Sequence, residues 1–369
     1  MKNIIEILGS TQLLLGINFD PDVLFEDRLS VEHRAFLVLL RVIEEHVPRL
    51  DQGYAGFGRP RYDDPPILRA LIAKLCFHID RNSQLRQRLL GDGNLRRICG
   101  FTKVPSEATF SRRLADFAKR RLPEPALAHM VRQHHNGHLV RVVARDSTAI
   151  AARERAHNKK REVKPAKHKR GRPRKDEVRE PKAERRLKRQ LRQKPGKSLS
   201  ELDKECGWGC KVNSQGNTQY WKGYKIHLDV TDLGIPVSAW VTGANVHDSQ
   251  VSIPLEKMTE RRLVHLYSMA DAAYDVPELR HYIAKKGRVA VIDYNKRRRI
   301  DGPELGILER DQFKARTVVE RANSHLKDYF LPNALFIKGH LKVSFVLLLG
   351  VLCLAATKIA MNLVPPIIA

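Results

Sequence analysis

A single acidic residue lies among basic ones near the end of the chain, within the sequence RTVVERANSHLK at 316–327. A helix turns by about 100° per residue, which places four side chains on one stripe: Phe313, Arg316, Glu320 and Lys327. A carboxylate held between cations, at the edge of an apolar face, is suited to binding a metal ion and a phosphate together. The same residues also fit an ordinary amphipathic helix with an Arg316–Glu320 pair at i, i+4.

Two more carboxylates follow apolar segments that are typical of buried strands. Asp146 comes at the exit of the valine-rich segment 139–144, and Asp271 comes directly after the segment 263–270. With Glu320 they supply three sets of hard oxygen ligands of the kind that Mg²⁺ prefers. Two divalent cations about 3.5 to 4 Å apart catalyse phosphoryl transfer without a covalent protein intermediate. The three acids therefore predict this class of chemistry.

Other residues offer alternatives to this set. Asp275 is a second choice for the ligand after the strand, and Asp248 is another acid near the end of a strand, but each also fits the N-cap of a helix. Cys206 and Cys210 with a downstream histidine, such as His227, suggest a zinc site, although their spacing is loose and CGWGC fits a turn. We favour Asp271 over Asp275, and Mg²⁺ over zinc.

The composition favours nucleic acid as the partner. The 369 residues carry a formal net charge of +26, more than solubility requires, and a membrane surface is the weaker alternative polyanion. No secretory leader is recognisable, and five scattered cysteines indicate reduced thiols in the cytosol. The apolar segment 343–357 is about 15 residues long, shorter than the roughly 20 that a bilayer requires, which predicts a buried helix.

The N-terminal part of the chain, 1–135, has an all-helical pattern. Apolar residues recur at helical spacing over 31–47, and Ser106 fits the N-cap of a strongly basic helix. Short helices separated by glycines are compatible with a helix-turn-helix that lays Arg112 and Arg113 on DNA. A helical bundle with a solvated basic face fits the same pattern equally well.

A basic insertion interrupts the second part of the chain. Residues 153–197 contain 21 Lys or Arg against 6 Asp or Glu, a net +15, and few large apolar residues, so we expect the insertion 153–218 to be disordered or loosely helical. Its sequence KRGRPRK at 169–175 resembles the AT-hook, whose arginines, here Arg170 and Arg172, enter a narrow minor groove. Simple phosphate neutralisation is the alternative.

The elements after the insertion follow an alternating order. Residues 219–242 alternate in polarity around a turn at 232–234, which predicts an antiparallel hairpin. A helix, the strand before Asp271, a second helix, a short strand and the Glu320 helix follow. The order of strand, insertion, hairpin, helix, strand, helix, strand, helix predicts a mixed α/β sheet with helices on its faces.

Four stretches resemble the core of bacterial insertion-sequence transposases of the DDE class: RDST at 145–148, YWKGYK at 220–225, GANVHDS at 243–249 and MADAAYD at 269–275. The family signature Tyr, Arg, Glu, Lys is similar to the spacing of Phe313, Arg316, Glu320 and Lys327. Phe313 stands where the signature has tyrosine, and we leave it out of the site. The resemblance extends from about 139 to 330, apart from the basic tract, and the helical N-terminal region also resembles that found ahead of such cores.

The resemblance implies an RNase H-like α/β fold, with a mixed sheet and flanking helices, preceded by an all-helical domain and interrupted by the basic insertion. It implies that Asp146, Asp271 and Glu320 hold two Mg²⁺ ions, with Mn²⁺ as a substitute. It also implies that Arg316 and Lys327 engage DNA near the scissile phosphate. Many relatives expand between the second acid and the glutamate, whereas here the insertion follows the first acid.

We therefore predict a transposase that binds the terminal inverted repeats of its element, cleaves a phosphodiester and joins the freed 3′-hydroxyl to target DNA. We expect a homo-oligomer, a dimer on DNA, in the bacterial cytoplasm at the nucleoid. The predicted domains are a helical DNA-binding or assembly domain 1–135, a catalytic domain 136–340 and an apolar C-terminal helix 341–369. The alternatives are an inactive architectural or regulatory DNA-binding protein derived from a transposase and an RNase H-fold nuclease that cuts without joining.

Overall fold

A computed structural model describes residues 29–47, 62–157, 184–212, 215–295, 304–332 and 335–363. The AT-hook-like sequence, with Arg170 and Arg172, lies outside the described residues. The predictions for that sequence therefore stay predictions.

Before residue 136 the described chain is helical, as predicted. The helices are α1 Val31–Glu44, α2 Asp64–Cys76, α3 Asn82–Gly91, α4 Gly93–Cys99, α5 Glu107–Arg120 and α6 Pro123–His135. Ser106 caps α5 as its sequence indicates, because its hydroxyl accepts the Thr109 amide at 3.3 Å. Leucine, isoleucine and phenylalanine on the inner faces of these helices are buried.

A six-stranded mixed sheet follows. Its strands are β1 Leu139–Ala151, β2 Gly207–Val212, β3 Thr218–Thr231, β4 Pro236–Gly243, β5 Val264–Ala270 and β6 Val289–Ile292. The order is β2-β3-β1-β5-β6, with β4 also paired to β3; β1 is antiparallel to β3 and parallel to β5. The predicted turn at Asp232–Gly234 joins β3 to β4, and Gly234 has a φ of +78°.

The first strand is longer than its valine-rich start suggests. The sequence predicted that the strand exits at Arg145, but β1 continues to Ala151, so Asp146 lies in mid-strand. The Asp-Ser-Thr sequence has the composition of a turn. Pairing with β3 keeps it extended, with Asp146 opposite Leu228.

Helices cover both faces of the sheet, which confirms the predicted α/β class. They are α7 Arg186–Arg192, α8 Pro195–Ser200, α9 Ser249–Thr259, α10 Pro277–Lys285, α11 Ile307–Phe313, α12 Thr317–Phe330 and α13 His340–Leu363. Short 3₁₀ turns occupy Ala272–Tyr274 and Lys314–Arg316. The side chains that β1 directs to one face meet α9, while those on its other face meet α12.

The prediction that the insertion is disordered or loosely helical is wrong for residues 184–212, which form packed helices and a strand. Residues 184–212 form α7, α8 and β2. Leu187 and Leu191 lie one turn apart on α7 and pack on the cluster around Ile253, which orders that helix. Lys257 of α9 reinforces this contact by donating to the carbonyl oxygens of Gln190, Leu191 and Gln193 at 2.8 to 2.9 Å.

The apolar C-terminal segment forms α13, which packs against α1, α5, α6, α12 and β4. Its length and composition would suit a membrane span, but 67% of its most apolar stretch is buried in the protein. This confirms the predicted buried helix. The N-terminal helices, the sheet and α13 share one hydrophobic core.

Candidate active site

Asp146 lies on β1, and Asp271 directly follows the neighbouring parallel strand β5. Arg145 pairs with Ala270 in the β1–β5 register, so the next residues along each strand are the two aspartates. Neighbouring strands are about 4.8 Å apart, and residues at matching positions share a face. The sheet therefore brings together two of the three acids that the sequence selected.

Burial and mutual repulsion make these carboxyls weaker acids than usual. Burial raises the pKa of Asp146 to about 6, and the charge of Asp271 adds to the shift, while the Ser147 amide, Arg316 and Lys211 oppose it. Burial also raises the pKa of Asp271, with a further contribution from Asp248. Like charges at this spacing favour a cation between them.

Helix α12 crosses next to Asp146. The side-chain amide of Asn323, which is buried, donates to Oδ2 of Asp146 at 3.0 Å. Glu320 lies three residues earlier and so occupies the same side of the helix, but its side chain is 49% exposed. The sequence did not single out Asn323, although its i, i+3 spacing from Glu320 could have done so.

Arg316 links the helix to the acid pair. Its Nη2 donates to Oε1 of Glu320 at 2.5 Å, and its guanidinium stacks over the ring of Phe313 at 5.4 Å. Its charge also lowers the pKa of both Asp146 and Asp271. Phe313 thus lacks the tyrosine hydroxyl but still orients Arg316.

The donor set fits a hard divalent cation, although it is not assembled as a closed cage. Among the described residues no three His, Cys, Asp or Glu side chains converge closely enough to hold a metal ion. Asp146 and Asp271 nevertheless lie at matching positions after Arg145 and Ala270, and Oδ1 of Asn323 is buried without a hydrogen-bond partner in the described chain. Glu320 is paired with Arg316 and does not join the two aspartates as a third ligand among the described residues.

A fourth acid, Asp248, was predicted from the sequence to cap a helix. Asp248 stands at the N-cap position of α9, but its side chain makes no capping bond and instead accepts Lys225 Nζ at 2.9 Å. Burial alone would raise the pKa of Asp248, yet His227 and Lys225 lower it overall. The capping interpretation of its side chain is therefore wrong.

Asp275 is held away from the acid pair by its own partners. It accepts Arg280 Nε at 2.8 Å and the Asn295 amide at 3.0 Å, while Val276 occupies the N-cap position of α10. Its predicted capping role is therefore wrong. These contacts also favour Asp271 over Asp275 as the acid at the site.

Two lysines face the acids from different elements. Lys327, two turns after Glu320 on α12, and Lys211 of β2 both lie within electrostatic reach of Asp146. Partial loss of water, and then the neighbouring Lys211, lower the pKa of Lys327. The sequence selected Lys327 but not Lys211, which lies far from the acids along the chain.

The two arginines predicted on α5 differ in their surroundings. Arg112 is exposed, whereas the guanidinium of Arg113 is largely buried in an ion pair with Asp64. Arg112 is thus accessible to a phosphate. Arg113 stabilises the helical bundle in this structure.

Among the described residues, the structure does not bring the two cysteines and His227 together as a group of metal ligands. Cys206 is buried and Cys210 is exposed on β2, which replaces the predicted turn. His227 is buried between Thr242 Oγ1 at 3.0 Å and the Tyr274 hydroxyl at 3.4 Å. Burial lowers the pKa of His227 to about 4, so it is neutral at pH 7.

Comparisons with known proteins agree with this geometry. Residues 138–355 match the family model described as "Transposase DDE domain", and residues 24–116 match "Transposase domain (DUF772)". The comparison with curated proteins found no match. The first family model covers more than half of the chain, spans the sheet and both flanking layers, and implies an RNase H-like fold and DNA phosphoryl transfer with divalent metal ions. The chain belongs to the DDE transposase family.

Proposed function

We propose that Asp146, Asp271 and Glu320 hold two Mg²⁺ ions and that the protein cuts the ends of its element and joins them to target DNA. The observation that supports this most is that Asp146 and Asp271 each follow directly after the paired residues Arg145 and Ala270 of two adjacent parallel strands. When bound, the ions activate the attacking oxygen and stabilise the leaving oxygen. Mn²⁺ has a similar preference for oxygen ligands and is expected to substitute.

Arg316 and Glu320 act together in this proposal. A guanidinium binds two phosphate oxygens at once, so a DNA phosphate competes with Glu320 for Arg316. Glu320 is half exposed and is released toward Asp146 when Arg316 turns to the phosphate. Asn323 holds Asp146 in position meanwhile.

DNA is bound over a wider surface. Lys327 lies beside the acids, and Arg112 is exposed on α5, so both are proposed phosphate contacts. We also propose the AT-hook-like arginines, Arg170 and Arg172, as contacts, whereas Arg113 is a weaker candidate because of Asp64.

Assembly and domain organisation complete the proposal. Joining two element ends requires two active sites, so we propose a dimer on DNA at the bacterial nucleoid. The predicted domains 1–135, 136–340 and 341–369 are proposed as regions with different functions. They are not separate folding units, because their described residues share one hydrophobic core.

The test is nicking of a supercoiled plasmid that carries the DNA flanking the gene, with Mg²⁺ or Mn²⁺. Asp146→Asn, Asp271→Asn and Glu320→Gln should each abolish nicking while leaving DNA binding intact. Asp275→Asn is the matched control, because that acid is paired with Arg280, and it should retain nicking. Wild-type nicking by all three acid variants would refute the assignment.

One observation favours an alternative, an inactive DNA-binding protein derived from a transposase. Glu320 is paired with Arg316, and the described residues contain no preformed three-acid site. DNA binding without any nicking in Mg²⁺ or Mn²⁺ would support that alternative. A protein that nicks but yields no joined product in a strand-transfer assay would instead be a nuclease.

A further inference from the structure

Two arginines from different regions of the chain lie over one phenylalanine ring. The guanidinium carbon of Arg81 is 4.5 Å from the centroid of the Phe336 ring, and that of Arg153 is 4.7 Å from it. These distances are typical of cation–π contacts. Both are measured from one centroid, so the two guanidinium carbons are no more than about 9 Å apart. We call Arg81, Phe336 and Arg153 the arginine stack.

The segment 335–339, which carries the ring, is fixed to the end of β1. Leu335 is buried and forms a parallel bridge with Ala152, just past the last residue of the strand. Glu154 holds the other end of the segment, because its carboxylate accepts the Gly339 amide at 2.7 Å. The ring of the stack therefore has a defined position on the surface.

Neither arginine of the stack is neutralised by a carboxylate. Both side chains are exposed, and within the described part of the chain neither guanidinium makes a hydrogen bond or an ion pair. Glu154, next to Arg153, is already engaged by the Tyr224 hydroxyl at 2.8 Å as well as by Gly339. Oδ1 of Asp80, the residue before Arg81, is buried without a hydrogen-bond partner. The N–H groups of the stack are thus available to an external anion.

The stability of the helix does not explain Arg81. This residue occupies the N-cap position of α3, where the helix dipole favours negative charge, and Arg153 adds repulsion. Arg88, two turns later on α3, provides a contrast: it lies over the Phe77 ring at 5.7 Å but is paired with Asp92 at 3.4 Å. The stack therefore gathers uncompensated positive charge that an anion would stabilise.

The stack lies away from the acids but within the reach of one duplex. Ala152 is six residues past Asp146, which corresponds to roughly 20 Å along an extended strand. This distance is about six base pairs of DNA at 3.4 Å each. A duplex whose scissile phosphate lies at the acids is thus long enough to extend to the stack.

We propose that Arg81 and Arg153 bind backbone phosphates of the element DNA, with Phe336 holding both guanidinium groups in place. This inference rests on the function proposed above and assigns it a DNA contact outside the site of cleavage. Stacking occupies the faces of the guanidinium groups and leaves their N–H edges for charge-assisted hydrogen bonds to phosphate. One arginine comes from the helical region and the other from the end of β1, so both regions would hold the same DNA.

The experiment measures binding of the full-length protein to two short duplexes in EDTA as a function of salt. One duplex comes from the DNA flanking the gene, and the other has an unrelated sequence of equal length. The variants are Arg81→Gln, Arg153→Gln, the double variant, Arg153→Lys and Phe336→Leu. Arg88→Gln is the matched control, because Arg88 also lies over a phenylalanine on α3 but has a carboxylate partner. Melting temperatures show that each variant is folded.

Each single Gln variant should lower the slope of log affinity against log salt by about 0.9, the value for one lost phosphate contact, and the double variant by about 1.8. Affinity at 0.1 M salt should fall about tenfold for each arginine. The loss should be equal on both duplexes, because phosphate contacts carry no sequence information. Arg153→Lys keeps the charge and should keep most of the slope.

The remaining variants separate the ring from the charges. Phe336→Leu keeps both arginines but removes the surface on which they stack, and we expect a smaller loss of affinity, about 2- to 5-fold. Arg88→Gln should bind both duplexes like wild type.

Three results would overturn the inference: a slope for the double variant within about 0.5 of wild type, an equal loss in Arg88→Gln, or a loss confined to the flanking DNA. If wild type nicks the plasmid and one of these results is found, only the inference fails. No nicking by wild type, or wild-type nicking by the three acid variants, would remove the proposed cleavage whatever the salt slopes are. The two failures are therefore distinguishable.

Discussion

Neighbouring residues of β1 face two opposite electrostatic environments. Arg145 points to the α9 side, where its guanidinium makes two 2.7 Å bonds to Asp229 and one of 2.8 Å to Glu256, all buried. Asp146 points to the α12 side, near Asp271, and accepts a hydrogen bond from the side-chain amide of Asn323. On the α9 side each charge is paired with an opposite charge, whereas on the α12 side two carboxyl groups lie near each other.

The difference distinguishes two uses of buried charge. The ion pairs of Arg145 stabilise the fold, whereas the two aspartates are available to a cationic ligand. Burial alone would raise the pKa of Glu256, but Arg145, His265 and Arg288 hold it well below its usual range. On the opposite face burial raises the pKa of Asp146 to about 6. On β1, Arg145 thus stabilises the fold through a buried ion pair, whereas the next residue, Asp146, is held where its ionised form is unfavourable.

Breaking the compensated face should have the largest effect on stability. Arg145→Met leaves Asp229 without its guanidinium partner in a buried site, and we expect a loss of about 3–5 kcal/mol in the free energy of unfolding. Urea denaturation followed by circular dichroism measures it. Arg280→Met, which breaks the more accessible pair with Asp275, is the control and should cost less than about 1 kcal/mol. A loss below 1 kcal/mol for Arg145→Met would contradict the comparison.

Relieving the other face should stabilise the protein. In the unfolded chain Asp146 ionises near pH 4, but in the folded protein only near pH 6. Between these values the folded state keeps a proton that the unfolded state loses, so stability falls as pH rises, and the full penalty persists above pH 6. Asp146→Asn should therefore gain about 1–3 kcal/mol at pH 8 and nothing below pH 4.

Melting curves at pH 4 and pH 8 measure this gain. Asp275→Asn provides the matched control, since loss of its bond with Arg280 gives no gain at either pH. Equal stability of Asp146→Asn and wild type at pH 8 would mean that the acid pair carries no strain.

A divalent cation should reverse the same penalty in the wild type. At a free Mg²⁺ or Mn²⁺ concentration roughly tenfold above its dissociation constant, binding to the folded state alone adds about 1.4 kcal/mol. The gain should appear above pH 6, where Asp146 is ionised, and should be absent from Asp146→Asn. Calorimetric scans with and without the ion test this. A similar shift in the Asn variant would place the ion elsewhere.

The sequence predicted the fold class and the positions of the acids well, because strand and helix periodicity is local. Asp271 does follow β5, and Glu320 does lie on a helix over the sheet. It failed where tertiary pairing overrides local preference. Asp146 lies in a segment whose composition fits a turn and that only β3 keeps extended, and α7 is ordered by Leu187 and Leu191 against a partner helix.

The remaining site residues could not be found from local patterns. Lys211 lies within electrostatic reach of Asp146 from β2, and the side chain of Asp248 accepts Lys225 Nζ of β3 and does not cap α9. Both relations join residues far apart in the chain. Asn323 is different, because its spacing from Glu320 is local, and a search for polar residues on that helical face would have found it.

Glu320 belongs to neither face of β1, and its substitution should have the smallest effect on stability. Exposed i, i+4 pairs such as Arg316–Glu320 contribute about 0.3–0.5 kcal/mol, so Glu320→Gln should change the free energy of unfolding by no more than this. Unlike Asp146→Asn it should not stabilise the protein at pH 8, although both should abolish nicking. Urea denaturation measures this change. A gain comparable to that of Asp146→Asn would show that Glu320 repels the acid pair in the folded protein, in place of a solvated ion pair with Arg316.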